Sequence, residues 1–162
     1  IGAFSLSKDL KISFGEAKNY INSYMETYIG VSSYMENTVE GAKKAGYVQT
    51  LFGRRRPLPE LSASSAVTRS FGERVARNMP VQGTAADIIK IAMINVERAL
   101  EKAGLKARLI LQIHDELIVE APESEAERAA QILKYEMENA VKLSVPLTAD
   151  CHIGKTWLEA KG

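Results

Sequence analysis

Residues 109–121 read Leu-Ile-Leu-Gln-Ile-His-Asp-Glu-Leu-Ile-Val-Glu-Ala, and no other stretch limits the fold as much. Two mostly apolar runs, Arg108–Ile113 and Leu117–Ala121, flank a short polar connection. Runs of that length and character read as buried strands joined in a tight hairpin. The hairpin places His114, Asp115 and Glu116 at its end. Two-residue turns favour Asn-Gly or Asp-Gly because the backbone there needs positive φ. His-Asp lacks the glycine, although both residues tolerate that region better than most. A turn poorly suited to turning, on a well-built hairpin, points to a site; the plain alternative is three solvated turn residues. Adjacent carboxylates at Asp115 and Glu116 suit a hard cation such as Mg²⁺. Neighbouring strand residues face opposite ways, so a full site needs another carboxylate. Asp87 and Asp150 are the candidates within the chain.

The remaining pattern is helices first, then strand–strand–helix–strand, which predicts an α+β fold with a small antiparallel sheet backed by helices. Ser13-x-x-Glu16 is a capping box opening a helix with Tyr20, Tyr24 and Tyr28 at core spacing, ending near Gly30. A second helix runs from about Val31 to Ala45 and stops at Gly46. Tyr47–Phe52 reads as a short strand. Residues 53–59 read as a loop, because two prolines and a glycine disfavour pairing. A long helical stretch follows to Ala103, and Pro80 is expected to kink or split it. Helix returns from about Glu123 to Leu143, and Pro146–Ile153 is expected to add a third strand. The 162 residues are 46% hydrophobic and 25% charged, enough for one core or two small ones without staples. Cys151 is the single cysteine, which excludes an internal disulfide framework and reads as a small buried hydrophobe. Trp157 reads as a packing anchor, and His152 as structural or surface. No apolar run approaches a membrane span, so no membrane partner is expected and a cytoplasmic location is the default.

The net charge is +1, but it is unevenly spread. Residues 42–77 carry eight Lys or Arg against Glu60 and Glu73, whereas residues 120–138 carry six carboxylates against two cations. Arg54, Arg55 and Arg56 offer forked donors that match phosphate oxygens. Together with the basic segment they favour a nucleic-acid backbone. Arg74, Asn78 and Gln82 recur at i, i+4 and i+8, one polar stripe on a helix. Such a stripe is commonly a solvated face. This one combines a cation with two amides, donors suited to the acceptors that every base pair presents in the minor groove.

Three segments together resemble family A DNA polymerases of the bacterial DNA polymerase I type. Gln112-Ile-His-Asp-Glu-Leu-Ile-Val-Glu-Ala-Pro122 resembles that family's motif C. Glu73-Arg74-x-x-x-Asn78-x-Pro80-x-Gln82-Gly83-Thr-Ala-Ala-Asp87-Ile-Ile is similar to the helix before it. Gly46-Tyr-Val-x-Thr-Leu-Phe-Gly-Arg-Arg-Arg56-x-Leu-Pro59 and the Trp157 segment match as well, so the resemblance spans almost the whole chain. It implies Mg²⁺-dependent, template-directed transfer of a nucleotide from a dNTP to a primer 3′-OH, with two ions in the complete enzyme, in DNA replication and repair. Primer–template DNA and dNTP are the implied partners. Asp115 is implied as a catalytic metal ligand, Glu116 as an accessory carboxylate and His114 as a neighbour of the primer terminus. Arg74, Asn78 and Gln82 are implied as minor-groove contacts. Residues 1–60 would belong to a fingers-like helical subdomain and 61–162 to the palm. The family's other catalytic aspartate, in a motif resembling D-Y-S-Q-I-E, is absent, as is the nucleotide-binding fingers helix. The chain opens Ile1-Gly2-Ala3 without Met, and reads as a fragment, inactive alone. The competing reading is a non-catalytic nucleic-acid-binding module. A metal-dependent phosphohydrolase would need more histidines than His114 and His152.

Overall fold

The computed structural model describes residues 2–161, which divide by their contacts into two compact units. One comprises the chain up to Gln49 together with Arg55–Pro80; the other comprises Thr50–Arg54 and the chain from Val81 onward.

The first unit opens with α1 (Ala3–Leu10), which the sequence reading missed. Helix α2 (Phe14–Thr27) begins at the expected capping box: the Glu16 amide donates to Ser13 Oγ at 3.2 Å, and the Ser13 amide donates to Glu16 Oε2 at 3.0 Å. Helix α3 (Ile29–Ala45) starts directly after Tyr28 and ends at Gly46, whose φ of 78° lies in the left-handed region that glycine enters without strain. Strand β1 (Tyr47–Gln49) then pairs antiparallel with β2 (Arg55–Pro57), Val48 opposite Arg56. The expected loop over 53–59 is therefore half strand. Pro57 is accommodated opposite Tyr47 because the cross-strand bond there comes from the next amide, Leu58 N–H to the Gly46 carbonyl at 2.9 Å, so no donor is needed from Pro57 itself. A 3₁₀ turn (Pro59–Ser62) and the start of α4 complete the unit. Val39, Ala42, Val48, Leu58, Leu61 and Ala76 form its core. Tyr20, Tyr24 and Tyr28 do not join it. All three are at least half exposed, and the rings of Tyr24 and Tyr28 lean on each other at 4.8 Å. Helical spacing marked one face, but Ala17 is the α2 residue that is buried.

Helix α4 (Ala66–Lys102) contributes to both units and contains Pro80. Of the expected kink or split, the split does not occur, although the division between the units falls just after this proline. Pro80 lacks the N–H that would bond to the Ala76 carbonyl, yet one missing bond does not end a helix of 37 residues.

In the second unit, Ala92, Val96 and Leu100 form a buried seam along α4 at four-residue intervals. Against it pack Ala107, Leu117 of the β3–β4 hairpin, and Ala129 and Leu133 of α5 (Ala126–Glu138). Strands β3 (Arg108–Ile113) and β4 (Glu116–Glu120) pair antiparallel, with Ile110 as the extra residue of a bulge. Glu125 Oε2 accepts from the Lys106 and Ala107 amides at 2.8 and 3.2 Å, fastening the entry of β3 to the start of α5. The α+β expectation thus stands, with two small antiparallel hairpins as the sheets among the described residues.

The expected third strand over Pro146–Ile153 is absent; the segment is irregular. Helix α5 also stops at Glu138 rather than near Leu143. Asn139 ends it, donating both its backbone amide and its side-chain amide to the Tyr135 carbonyl, at 3.0 and 2.8 Å. Glu138 then catches the returning chain at the Ala149 amide, 3.1 Å away. Cys151 is only partly buried, against the second core. Trp157 opens α6 (Trp157–Ala160) with nearly half its surface exposed, so it is not the anchor that its size suggested.

Candidate functional site

Ile113 pairs with Glu116 and leaves a two-residue turn, His114-Asp115, at the hairpin tip. His114 adopts φ 53°, the left-handed conformation that glycine-free turns must force on one residue, at a cost of about 1 kcal/mol. Gln112 Nε2 donates to the His114 carbonyl at 2.7 Å and braces the turn from inside β3. Gln112 stands in the quoted motif, yet spacing gave no hint of this role, because the bond depends on the turn geometry. His114, Asp115 and Glu116 are all exposed, while the next residue, Leu117, is buried in the core. The tip is thus a solvated acidic point on a base held from beneath.

Asp115 and Glu116 are the hard oxygen donors that Mg²⁺ prefers, so the donors fit in kind. They fall short in number. Among the described residues no three His, Cys, Asp or Glu side chains gather where they could hold an ion. Asp150 is exposed and joins no such cluster. Asp87, the other candidate, has a different task.

Asp87 is buried, and both its oxygens are engaged. Thr50 Oγ1 donates to Oδ2 at 2.7 Å and Arg54 Nε to Oδ1 at 2.7 Å. Thr50 Oγ1 in turn accepts from the Phe52 and Arg54 amides, at 3.3 and 3.2 Å. The Leu51 amide donates to Thr84 Oγ1 at 2.9 Å, so the whole Thr50–Arg54 loop is knitted onto α4. The Thr50 and Arg54 hydrogen bonds hold the Asp87 carboxyl below its ordinary range, outweighing burial, with the charges of Arg54 and Lys90 assisting. A depressed carboxylate contributes stability above its unfolded pKa of about 3.9 and loses it as pH falls through its lower folded value. Thermal melts from pH 7 down through that range should therefore fall more steeply for the unaltered chain than for Asp87→Asn. Parallel falls would show that the carboxylate contributes nothing to the acid limb.

The basic segment offers fewer available cations than its count suggests. In the first unit Glu73 pairs with Lys43 at 3.3 Å and with Arg77 at 3.6 Å. Arg69 Nη1 donates to the carbonyls of Ala63 and Ser64 at 2.8 and 2.7 Å. Arg55 lies over the Tyr47 ring at 4.6 Å, exposed, and Arg56 is exposed beside it. Arg74, Asn78 and Gln82 all lie on α4 and are all exposed, with Arg74 over the Phe71 ring at 5.8 Å.

The family model described as DNA polymerase family A matches residues 1–159. The DNA polymerase I of Bacillus caldotenax is 50% identical over 161 residues, covering 99% of this chain and 18% of the relative. That of Bacillus subtilis (strain 168) is 48% identical with the same shares. A solved structure described as the POL domain of Pol1 from M. smegmatis in complex with DNA primer-template and dNTP superposes with a TM-score of 0.93 at 45% identity. It is covered over 28% of its length by 99% of this chain. The chain spans about a fifth of the length of these curated relatives.

Proposed function

The chain belongs to DNA polymerase family A, and from that premise we propose that it supplies part of a DNA-directed DNA polymerase. The reaction is template-directed transfer of a nucleotide from a dNTP to the 3′-OH of a primer, with primer–template DNA as the bound partner, in the cytoplasm. The observation that carries this reading is Asp115, a solvated carboxylate on the two-residue turn of a hairpin whose next residue but one is locked in a core. Asp115 would hold a Mg²⁺ ion, with Glu116 in support, and the ion would supply charge stabilisation to the transfer. His114 lies at the primer end. Arg74, Asn78 and Gln82 donate to minor-groove acceptors and so test the shape of a base pair rather than its identity. Arg54, Arg55 and Arg56 hold phosphates of the backbone. Residues 1–60 form the C-terminal part of the fingers-like helical subdomain, and residues 61–162 part of the palm.

The test is an exchange protein: the full-length Bacillus caldotenax relative with its matching segment replaced by this chain. It should extend a primer in a template-dependent manner in the presence of Mg²⁺. The 162-residue chain alone should make no product, because two carboxylates at one tip do not hold two ions and position a dNTP. A folded exchange protein that binds DNA without extending primers would favour a non-catalytic nucleic-acid module. Product from the chain alone would contradict the divided site.

A further inference from the structure

We propose that Asp87 is a positioning residue that orients the Arg54 guanidinium toward a nucleic-acid phosphate. The inference rests on the DNA-binding reading above and adds to it a residue that never touches DNA. Arg54 meets Asp87 through Nε, at 2.7 Å. That bond uses one corner of a planar fork with five N–H donors, and the Arg54 side chain remains 59% exposed. The Asp87 side chain is only 6% exposed, so the two ends of the pair sit in different surroundings. A buried carboxylate fixed by a second bond from Thr50 Oγ1 is an immobile anchor. An exposed arginine normally loses side-chain entropy when it grips a ligand; here part of that ordering is already made. The loop has the same rigidity. Gly53, at φ 80°, donates its amide to the Thr50 carbonyl at 3.0 Å, and the Thr50 amide donates to the Arg54 carbonyl at 2.9 Å. What such a held fork takes is a phosphate, whose oxygens match parallel N–H donors.

A purely structural role and a positioning role differ in sign. Removing a carboxylate makes the chain more positive, so charge alone predicts that Asp87→Asn binds duplex DNA as tightly or more tightly. Positioning predicts weaker binding. The experiment titrates the exchange protein with a fluorescent primer–template duplex across a salt series, alongside its Asp87→Asn, Arg54→Ala and double variants, with melts confirming that each is folded. Each single substitution should lower affinity several-fold and reduce the steepness of log K against log salt by about 0.9, the mark of one lost phosphate contact. The double variant should match Arg54→Ala, since Asp87 acts only through that side chain. An unchanged or steeper slope in Asp87→Asn, or additive losses in the double variant, would overturn the proposal while leaving the DNA reading intact. Absence of salt-dependent binding by the unsubstituted exchange protein would overturn both. If Asp87→Asn does not fold, Thr50→Val keeps the charge pair and removes one brace; a shallower slope supports the proposal and an unaltered slope overturns it.

Discussion

Asp115→Ala in the exchange protein should cost a thousandfold or more in kcat, while Glu116→Ala should cost distinctly less. Each thousandfold corresponds to about 4 kcal/mol of barrier. The division follows from the hairpin. Asp115 occupies the turn itself, and Glu116 is the first residue of β4, paired with Ile113. A turn residue and the first, paired residue of a strand are held by different backbone geometry, so the two carboxylates are not equivalent ligands. A carboxylate that steadies charge developing in the transition state acts on kcat rather than on substrate binding. Primer–template affinity should change little, because the proposed DNA contacts lie on α4 and in the arginine loop. Single-turnover extension with saturating dNTP reads the chemical step directly. Equal losses in the two variants would erase the division of labour, and near-normal turnover in Asp115→Ala would remove the catalytic assignment.

The hairpin that carries Asp115 was legible because its parts are local. Two apolar runs around a short polar connection define a hairpin with little help from the rest of the chain, although β3 is mostly exposed rather than buried, because the core covers only part of the hairpin. The capping box at Ser13 and the stop at Gly46 were legible for the same reason: each closes its hydrogen bonds within a few residues. What failed was decided at a distance. The tyrosines of α2 carry a helical stripe, but a stripe does not say whether a partner lies against it, and Ala17 is what the first unit buries there. Pro57 argued against pairing, yet its register opposite Tyr47, with Leu58 supplying the next cross-strand amide, decided that it could pair.

Charge counting pointed to a nucleic-acid backbone but did not show how the cations divide. Eight stand against two carboxylates in residues 42–77. Lys43 and Arg77 share Glu73, Arg69 closes on backbone carbonyls, and Arg54 reaches Asp87, outside the counted segment. Asp87 itself looked like a spare metal ligand in sequence. Its partners, Thr50 and Arg54, stand 37 and 33 residues away, a separation that no helical or strand period reports.

Leu100→Ala should cost about 2–5 kcal/mol of folding stability, a range set by how far the site can collapse around the lost side chain. Leu100 is 2% exposed and shares its buried cluster with Val96, Leu117 and Leu133, so α4, the hairpin and α5 all lose a packing partner. The interior is close-packed, and the cavity is filled only by shifting its neighbours. Leu117 is one of those neighbours, two residues after Asp115. The substitution should therefore also lower kcat in the exchange protein at temperatures where it remains folded, although Leu100 is nowhere proposed to touch substrate. Leu158→Ala is the control: Leu158 is 86% exposed, and its loss should stay within about 0.5 kcal/mol and leave kcat alone. Denaturant melts of the two variants give the stabilities, and extension assays give kcat. A Leu100→Ala protein with ordinary stability would mean that the hairpin is not held from beneath. A destabilised one with unaltered kcat would mean that Asp115 does not depend on that support.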